Sequence, residues 1–132
     1  MLLSILYANE IVWADIAVIV HPSSGIIDVK KDALMRLYLG KRDSLVGVEV
    51  TPVDQSFDQP IRRDFYNRVV NKSLFQAKAY WSRMIFTGKG GPPTEFKTSR
   101  EVKEWVSKTP QGLGYIDILD VDESVKVILV VR

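Results

Sequence analysis

The stretch DIAVIVH, residues 15–21, decides the fold of this chain of 132 residues. Its five middle residues are apolar, four of them are β-branched, and Pro22 follows His21 directly. An apolar run without alternation, closed by turn residues, is typical of a strand buried on both faces. We therefore expect this strand in the interior of a sheet, followed by a turn at Ser23-Ser24-Gly25.

Beyond this strand, helix and strand patterns alternate along the chain. Signals for helix starts, which are capping residues or a first-turn proline, occur at Asp28, Pro60, Ser73 and Thr98. The first of these helices is expected to end near Leu39, with Gly40 beyond its end. Further strands are expected at Val46–Val53, Leu113–Ile118 and Val125–Val131. The alternation predicts one α/β domain over residues 15–132, with a mostly parallel sheet of about four or five strands flanked by helices.

Composition excludes several classes of function. The chain has no cysteine and only one histidine, so disulfides, thiolate catalysis and multi-histidine metal sites are not expected. A net charge of +2 without a dense basic face does not favour nucleic-acid binding. No serine or acid stands at a catalytic spacing from His21, and no apolar run approaches the ~18 residues of a membrane span. We expect no enzyme, no cofactor and no membrane-spanning segment.

The first 14 residues, MLLSILYANEIVWA, allow two interpretations. The small-residue spacing Val12-x-Ala14 suits a signal-peptidase site, which makes Asp15 the first residue of an exported domain, although a basic leader region is missing. Alternatively, the apolar run forms a first strand or helical turn packed on the domain. We predict that this segment does not belong to the core and that the mature chain begins near Asp15.

The start of the Pro60 helix is a candidate anion site. A helix N-terminus attracts anions through its unpaired N–H groups and its dipole. Arg62 and Arg63 lie in the first turn, where cations oppose that dipole. The alternative is that both arginines are solvated or paired with Asp58 and Asp64.

Neutral donors complete this candidate site. Ser56 and Gln59 precede the helix, and Ser23 and Ser24 follow the first strand. Ligand sites of open α/β sheets collect beyond the carboxyl ends of the strands, so we expect both loops at that edge. The alternative for Ser23 and Ser24 is a simple turn without a ligand.

Five segments between Asp15 and Asp117 resemble the substrate-binding proteins of phosphate ABC transporters, in the form of a short single-lobe relative. They are DIAVIVHPSSG, LMRLYLGKR, VEVTPVDQSFDQPIRRDFYNRVV, AKAYWSRMIFTGKGGPP and GLGYID. The resemblance implies one lobe of a type II periplasmic-binding-protein fold. It also implies a periplasmic location and a partner such as a membrane transporter or sensor protein.

The resemblance also locates the family's anion-binding loop. With Phe65 on the family's aromatic position, Gln55 stands where the family has an arginine, and Gln59-Pro60-Ile61 replaces Ser-Gly-Thr. Gln55 therefore joins the candidate ligand-binding residues. The implied function is weak binding of phosphate or a similar oxyanion. The alternative is a non-catalytic interaction or sensor module that has lost ligand binding.

Overall fold

The computed structural model describes residues 15–132, and the interpretation of residues 1–14 lies outside this range. The strands are β1 (Ile16–Val20), β2 (Ser44–Leu45), β3 (Val48–Glu49), β4 (Thr51–Gln55), β5 (Thr94–Phe96), β6 (Gly112–Asp117) and β7 (Lys126–Val131). The helices are α1 (Lys31–Tyr38), α2 (Pro60–Phe65), α3 (Leu74–Phe86) and α4 (Ser99–Lys108). A π-helical turn at Tyr66–Val70 continues α2, and a short 3-10 helix, Ile118–Asp120, follows β6.

Five strands form one sheet in the order β5-β4-β6-β1-β7, and β2 and β3 form a separate hairpin. The β4 strand pairs parallel with β5 and β6, whereas β1 pairs antiparallel with β6 and β7. Four strands of the sheet therefore run in one direction, and β1 alone runs in the other. The predicted class, an α/β domain with a mostly parallel sheet of five strands and flanking helices, is confirmed.

The β1 strand has a sheet neighbour on each side and is buried along its whole length, as the sequence predicted. Ile16, Val18 and Val20 face the larger core, which contains residues of α1, α2 and α3. Ala17 and Ile19 face the smaller core under α4. An apolar side chain at every position is thus required because each face of β1 is covered by helices.

Local signals placed most helix ends correctly. Pro60 occupies the first position of α2, and Ser73 forms the predicted capping box with Gln76 at the start of α3. Thr98 accepts a hydrogen bond from the backbone N–H of Glu101, which fixes the start of α4. Gly40 has a positive φ of 70° just beyond α1, where an L-residue would be strained.

Two expectations need correction, and one strand was not expected. The α1 helix begins at Lys31, so Asp28 does not cap it. The predicted strand Val46–Val53 is shortened and divided: Val46 and Gly47 adopt positive φ values of 44° and 77° in the turn between β2 and β3, and Val50 separates β3 from β4. The short edge strand β5 was not predicted, since three mostly exposed residues carry no recognisable periodicity.

Within residues 15–132, no helix is long and apolar enough to cross a bilayer.

Candidate ligand-binding site

The strands β4, β5 and β6 end at the same edge of the sheet, which we call the carboxyl edge. It is defined by Gln55 at the end of β4, Phe96 at the end of β5 and Asp117 at the end of β6. The helices α2 and α4 begin beyond these strands, at Pro60 and Ser99. Two helix starts therefore meet at the edge where open α/β sheets hold their ligands.

A pocket of about 540 Å³ lies at this edge, and we call it the edge pocket. Its lining residues come from the starts of α2 and α4 and from the end of β6: Gln59, Pro60, Ile61, Asp64, Thr98, Ser99, Arg100, Asp117 and Asp120. Three of these side chains are carboxylates, and Arg100 is the only cation among them. The edge pocket thus combines helix N-termini, which attract anions, with acidic side chains that repel them.

Ser99 is the best-placed neutral donor in the edge pocket. Its Oγ accepts hydrogen bonds from Gln55 Nε2 at 2.9 Å and from the backbone N–H of Asp117 at 3.1 Å. Because both bonds use the oxygen as acceptor, the hydroxyl proton remains able to donate to a ligand. The two contacts also fix the Ser99 side chain against β4 and β6.

Gln55, which the resemblance places at the family's arginine position, is fully buried beneath this serine. Its Nε2 donates to Ser99 Oγ and to the backbone carbonyl of Tyr115, each at 2.9 Å. Within the described residues its Oε1 has no hydrogen-bond partner. Gln55 therefore connects β4, β6 and α4, and its amide fixes Ser99, which lines the edge pocket.

Asp54, beside Gln55, is a buried acid that the sequence analysis missed. Its carboxylate accepts hydrogen bonds from the hydroxyls of Tyr66, at 2.5 Å, and Tyr115, and from the backbone N–H of Gln55, at 3.0 Å. Burial raises the pKa of Asp54, although Arg62 and these hydrogen bonds act in the opposite direction. These hydrogen bonds fix the end of β4 from the interior of the domain. Two adjacent polar residues at the end of β4, Asp54 and Gln55, are a weak signal that both need internal partners.

Arg62 is engaged by the protein's own acceptors. Its Nη1 donates to the backbone carbonyl of Gln55 at 2.9 Å and to Glu95 Oε2 at 2.7 Å, and its Nε lies 3.8 Å from Asp54 Oδ1. The sequence alternative of a paired arginine thus describes Arg62, but its partners are Asp54 and Glu95. Arg63 lies 4.0 Å from Asp64, and its side chain is 59% exposed.

The remaining predicted donors differ in their surroundings. Ser56 closes the end of β4 against β5, because both its backbone N–H and its hydroxyl donate to the carbonyl of Phe96. Gln59 lines the edge pocket directly. Of the candidate ligand-binding residues, Gln59 alone therefore contributes to that pocket's lining.

Ser23 and Ser24 lie at the opposite edge of the sheet. The end of β1, Val20, pairs with Leu113 near the start of β6, because β1 runs antiparallel to its neighbour. The expectation that these serines share an edge with the Pro60 helix is therefore wrong. The Ser23 hydroxyl lies 2.8 Å from His21 Nδ1, and Ser24 Oγ accepts from the N–H of Ile26, so both serve the turn itself.

The sheet order, the helices on both faces and the pocket at the carboxyl edge describe a domain whose fold is shared with solved substrate-binding proteins of phosphate ABC transporters. No protein-family profile and no curated protein matches the sequence. The structure is similar to an ABC-type phosphate transport receptor from Vibrio cholerae, with a TM-score of 0.68 and 20% identity. It is also similar to PstS from Borrelia burgdorferi, with a TM-score of 0.64 and 16% identity.

These similarities cover most of this chain but less than half of each neighbour. The alignment with the Vibrio cholerae protein includes 87% of this chain and 46% of that protein, and the alignment with the Borrelia burgdorferi protein includes 89% and 48%. The resemblance to substrate-binding proteins of phosphate ABC transporters is confirmed by these structural neighbours. At these identities, the likeness establishes the shared fold.

Proposed function

We propose that the chain is a non-catalytic, periplasmic domain of the substrate-binding-protein type that weakly binds phosphate or a similar oxyanion in the edge pocket. The observation that carries this proposal is the meeting of two helix starts, at Pro60 and Ser99, around a cavity of about 540 Å³. Helix N-termini favour anions through their free N–H groups and their dipoles. A membrane transporter is the partner that the structural neighbours suggest.

Arg100 is the charged donor in this proposal. It lines the edge pocket and is exposed, and no ion pair engages it within the described part of the chain. Gln59 and the Ser99 hydroxyl add neutral donors. Of the predicted arginines, Arg62 is held by Asp54 and Glu95, whereas the exposed Arg63 contributes long-range attraction only.

Two features make the affinity low. Asp64, Asp117 and Asp120 oppose an incoming anion. The pocket is also open to water, which screens each charge-assisted bond. A dissociation constant in the millimolar range follows, which corresponds to about −4 kcal/mol.

Phosphate and sulfate titrations at low salt test this proposal, with the backbone amides of Ser99 and Arg100 followed by NMR. Arg100→Ala should abolish saturable binding. Asp120→Asn should tighten it roughly two- to fivefold, because one repulsive charge is removed. Lys108→Ala is the matched control, since this exposed lysine lies at the other end of α4 and pairs with Glu104. If wild type and Arg100→Ala respond equally, the oxyanion site is excluded.

A second candidate function, a protein interaction module, is favoured by exposed apolar side chains near α3. Phe75 is 78% exposed and touches the half-exposed ring of Phe57 at a centroid distance of 6.5 Å, and Ile85 is exposed on the same helix. We call these three residues the α3 surface. Exposed apolar groups that lie together mark protein contacts more often than scattered ones do.

In this second function, the partner is a membrane transporter or sensor protein. Binding of the purified domain to the detergent-solubilised transporter of the same organism is the direct test. Phe75→Ser should weaken the complex at least tenfold, whereas Arg100→Ala should leave it unchanged. Equal affinity of wild type and Phe75→Ser would exclude the α3 surface as the contact.

A further inference from the structure

A second groove, of about 360 Å³, opens between α3 and the loop that follows β4. We call it the α3 groove. Its apolar walls are formed by Phe57, Ala77, Trp81, Ile85 and Pro92. It shares no lining residue with the edge pocket. A concave apolar site of this size with a few polar groups is the usual form of a small-molecule site.

Arg62 is the largely buried cation of this groove. Its side chain is only 12% exposed, and its guanidinium carbon lies 5.8 Å from the ring centre of Phe57 and 5.3 Å from that of Tyr66. The two rings hold the guanidinium in one orientation. Its Nε is buried without a hydrogen-bond partner in the described chain. That nitrogen lies 3.8 Å from Asp54 Oδ1, so the groove contains a fixed cation that meets Glu95 through its Nη1.

Glu95 shows which chemical group Arg62 binds. One of its carboxylate oxygens receives a hydrogen bond from Arg62 Nη1, yet the Glu95 side chain is 46% exposed. Glu95 also belongs to the three-residue edge strand β5. Partly exposed ion pairs are weak, so an external carboxylate can compete for the same donor.

The charges around the groove complement an anionic head group. Lys78 also lines the groove, is exposed, and has no ion-pair partner among the residues that the structure describes. Once Glu95 is displaced, the groove presents two cations beside apolar walls. Asp54 lies beneath Arg62 but is buried and does not line the groove. The apolar walls then suit a hydrophobic tail attached to that head group.

We propose that the α3 groove binds small carboxylic acids with an aromatic or branched apolar tail. The ligand carboxylate replaces that of Glu95 on Arg62, and the tail packs between Phe57 and Ile85. Lys78 contributes attraction at the rim. This site is independent of oxyanion binding in the edge pocket, because the two sites share no lining residue.

NMR titration of the isotope-labelled chain with 4-phenylbutyrate tests the proposal, with 4-phenylbutanol as the uncharged control. Wild type should show saturable shifts centred on Phe57, Lys78 and Ile85. Glu95→Gln should tighten phenylbutyrate binding about three- to tenfold by removing the internal competitor. The same variant should leave phenylbutanol binding unchanged. A thermal melt of Glu95→Gln verifies that the variant is folded.

A pair of α3 variants tests the position of the tail. Ile85→Ser should weaken phenylbutyrate binding severalfold, whereas Phe86→Ser should not, because Phe86 is 91% exposed and does not line the groove. Shifts confined to Ser99 and Arg100, or equal affinities of wild type and Glu95→Gln, would overturn the proposal. Neither outcome depends on phosphate binding, so this site and the edge pocket can fail separately.

Discussion

Removing the hydroxyl of Tyr66 tests the buried network beneath the carboxyl edge. In Tyr66→Phe, Asp54 loses a donor that lies 2.5 Å from its Oδ2, in surroundings where both residues are almost inaccessible. Tyr115 and the backbone N–H of Gln55 remain as donors. The carboxylate is therefore left with one bond fewer, and its burial restricts the replacement of that bond by solvent.

The expected cost follows from the charge of the acceptor. A hydrogen bond to a charged group contributes about 1.5–3 kcal/mol, whereas a neutral bond contributes about 0.5–1.5 kcal/mol. With Asp54 ionised, we expect Tyr66→Phe to lower the free energy of unfolding by about 2 kcal/mol. For a domain of this size, that corresponds to a decrease in Tm of roughly 6–12 °C.

The loss should depend on pH. Burial raises the pKa of Asp54 above its unfolded value of 3.8, so the folded state binds more protons between these two pKa values. The stability contribution of Asp54 is accordingly complete below about pH 3.8 and decreases as pH rises through the folded pKa. Below the folded pKa of Asp54, the hydroxyl of Tyr66 donates to a neutral carboxylic acid. Above that pKa, it donates to a carboxylate. The cost of Tyr66→Phe should thus be larger at about pH 8 than at about pH 4.

Urea denaturation followed by circular dichroism measures this difference. Tyr80→Phe is the matched control, because its hydroxyl donates to a neutral acceptor, the carbonyl of Leu39, at 2.7 Å. It should cost about 1 kcal/mol at both pH values. A loss for Tyr66→Phe that is below about 0.5 kcal/mol, or that does not change with pH, would refute a carboxylate held by this hydroxyl.

Two further pairs of substitutions test packing and capping. A Cβ at Gly114 would lie 2.5 Å from Val102 Cγ1 under α4, so Gly114→Ala should lower the free energy of unfolding in urea by about 3 kcal/mol. Gly25→Ala, where a Cβ meets open space, should change it by less than about 0.5 kcal/mol. Ser73→Ala should cost about 1 kcal/mol in thermal melts through loss of the α3 cap, and an unaltered Tm would contradict this. Ser107→Ala, inside α4, should be nearly neutral.

The parts of the fold that could be predicted depend on local chemistry. The β-branched run at Ile16–Val20 has to be buried on both faces, wherever its neighbours come from. Pro60 and Ser73 indicate helix starts because a helix leaves its first N–H groups unpaired. These signals act over a few residues and are visible in the sequence.

The direction of β1 relative to its neighbouring strands cannot be predicted from such local signals. A strand that is buried on both faces has the same apolar pattern whether its neighbours run parallel or antiparallel to it. That direction nevertheless decides the position of Ser23 and Ser24, because it sends the end of β1 to the edge opposite Gln55. The antiparallel pairing of β1 with β6 therefore places Ser23 and Ser24 outside the candidate site.

The partners of Asp54 and Arg62 were equally inaccessible to sequence reasoning. Tyr115 is 61 positions from Asp54, and Glu95 is 33 positions from Arg62. Only the parallel pairing of β4 with β5 and β6 brings these groups together. From the sequence, the first-turn arginines are either ligand donors or solvated or paired with Asp58 and Asp64, whereas the fold pairs Arg62 with Asp54 and Glu95.

The electrostatics of the edge pocket constrain what can close over it. Asp64, Asp117 and Asp120 outnumber Arg100, and the carboxylates of Asp54 and Glu95 already engage Arg62 from within the domain. An oxyanion held tightly here would need additional positive charge or N–H donors from outside residues 15–132. A surface that completes the cleft should therefore be basic toward the edge pocket, because an acidic or neutral one would leave the repulsion uncompensated.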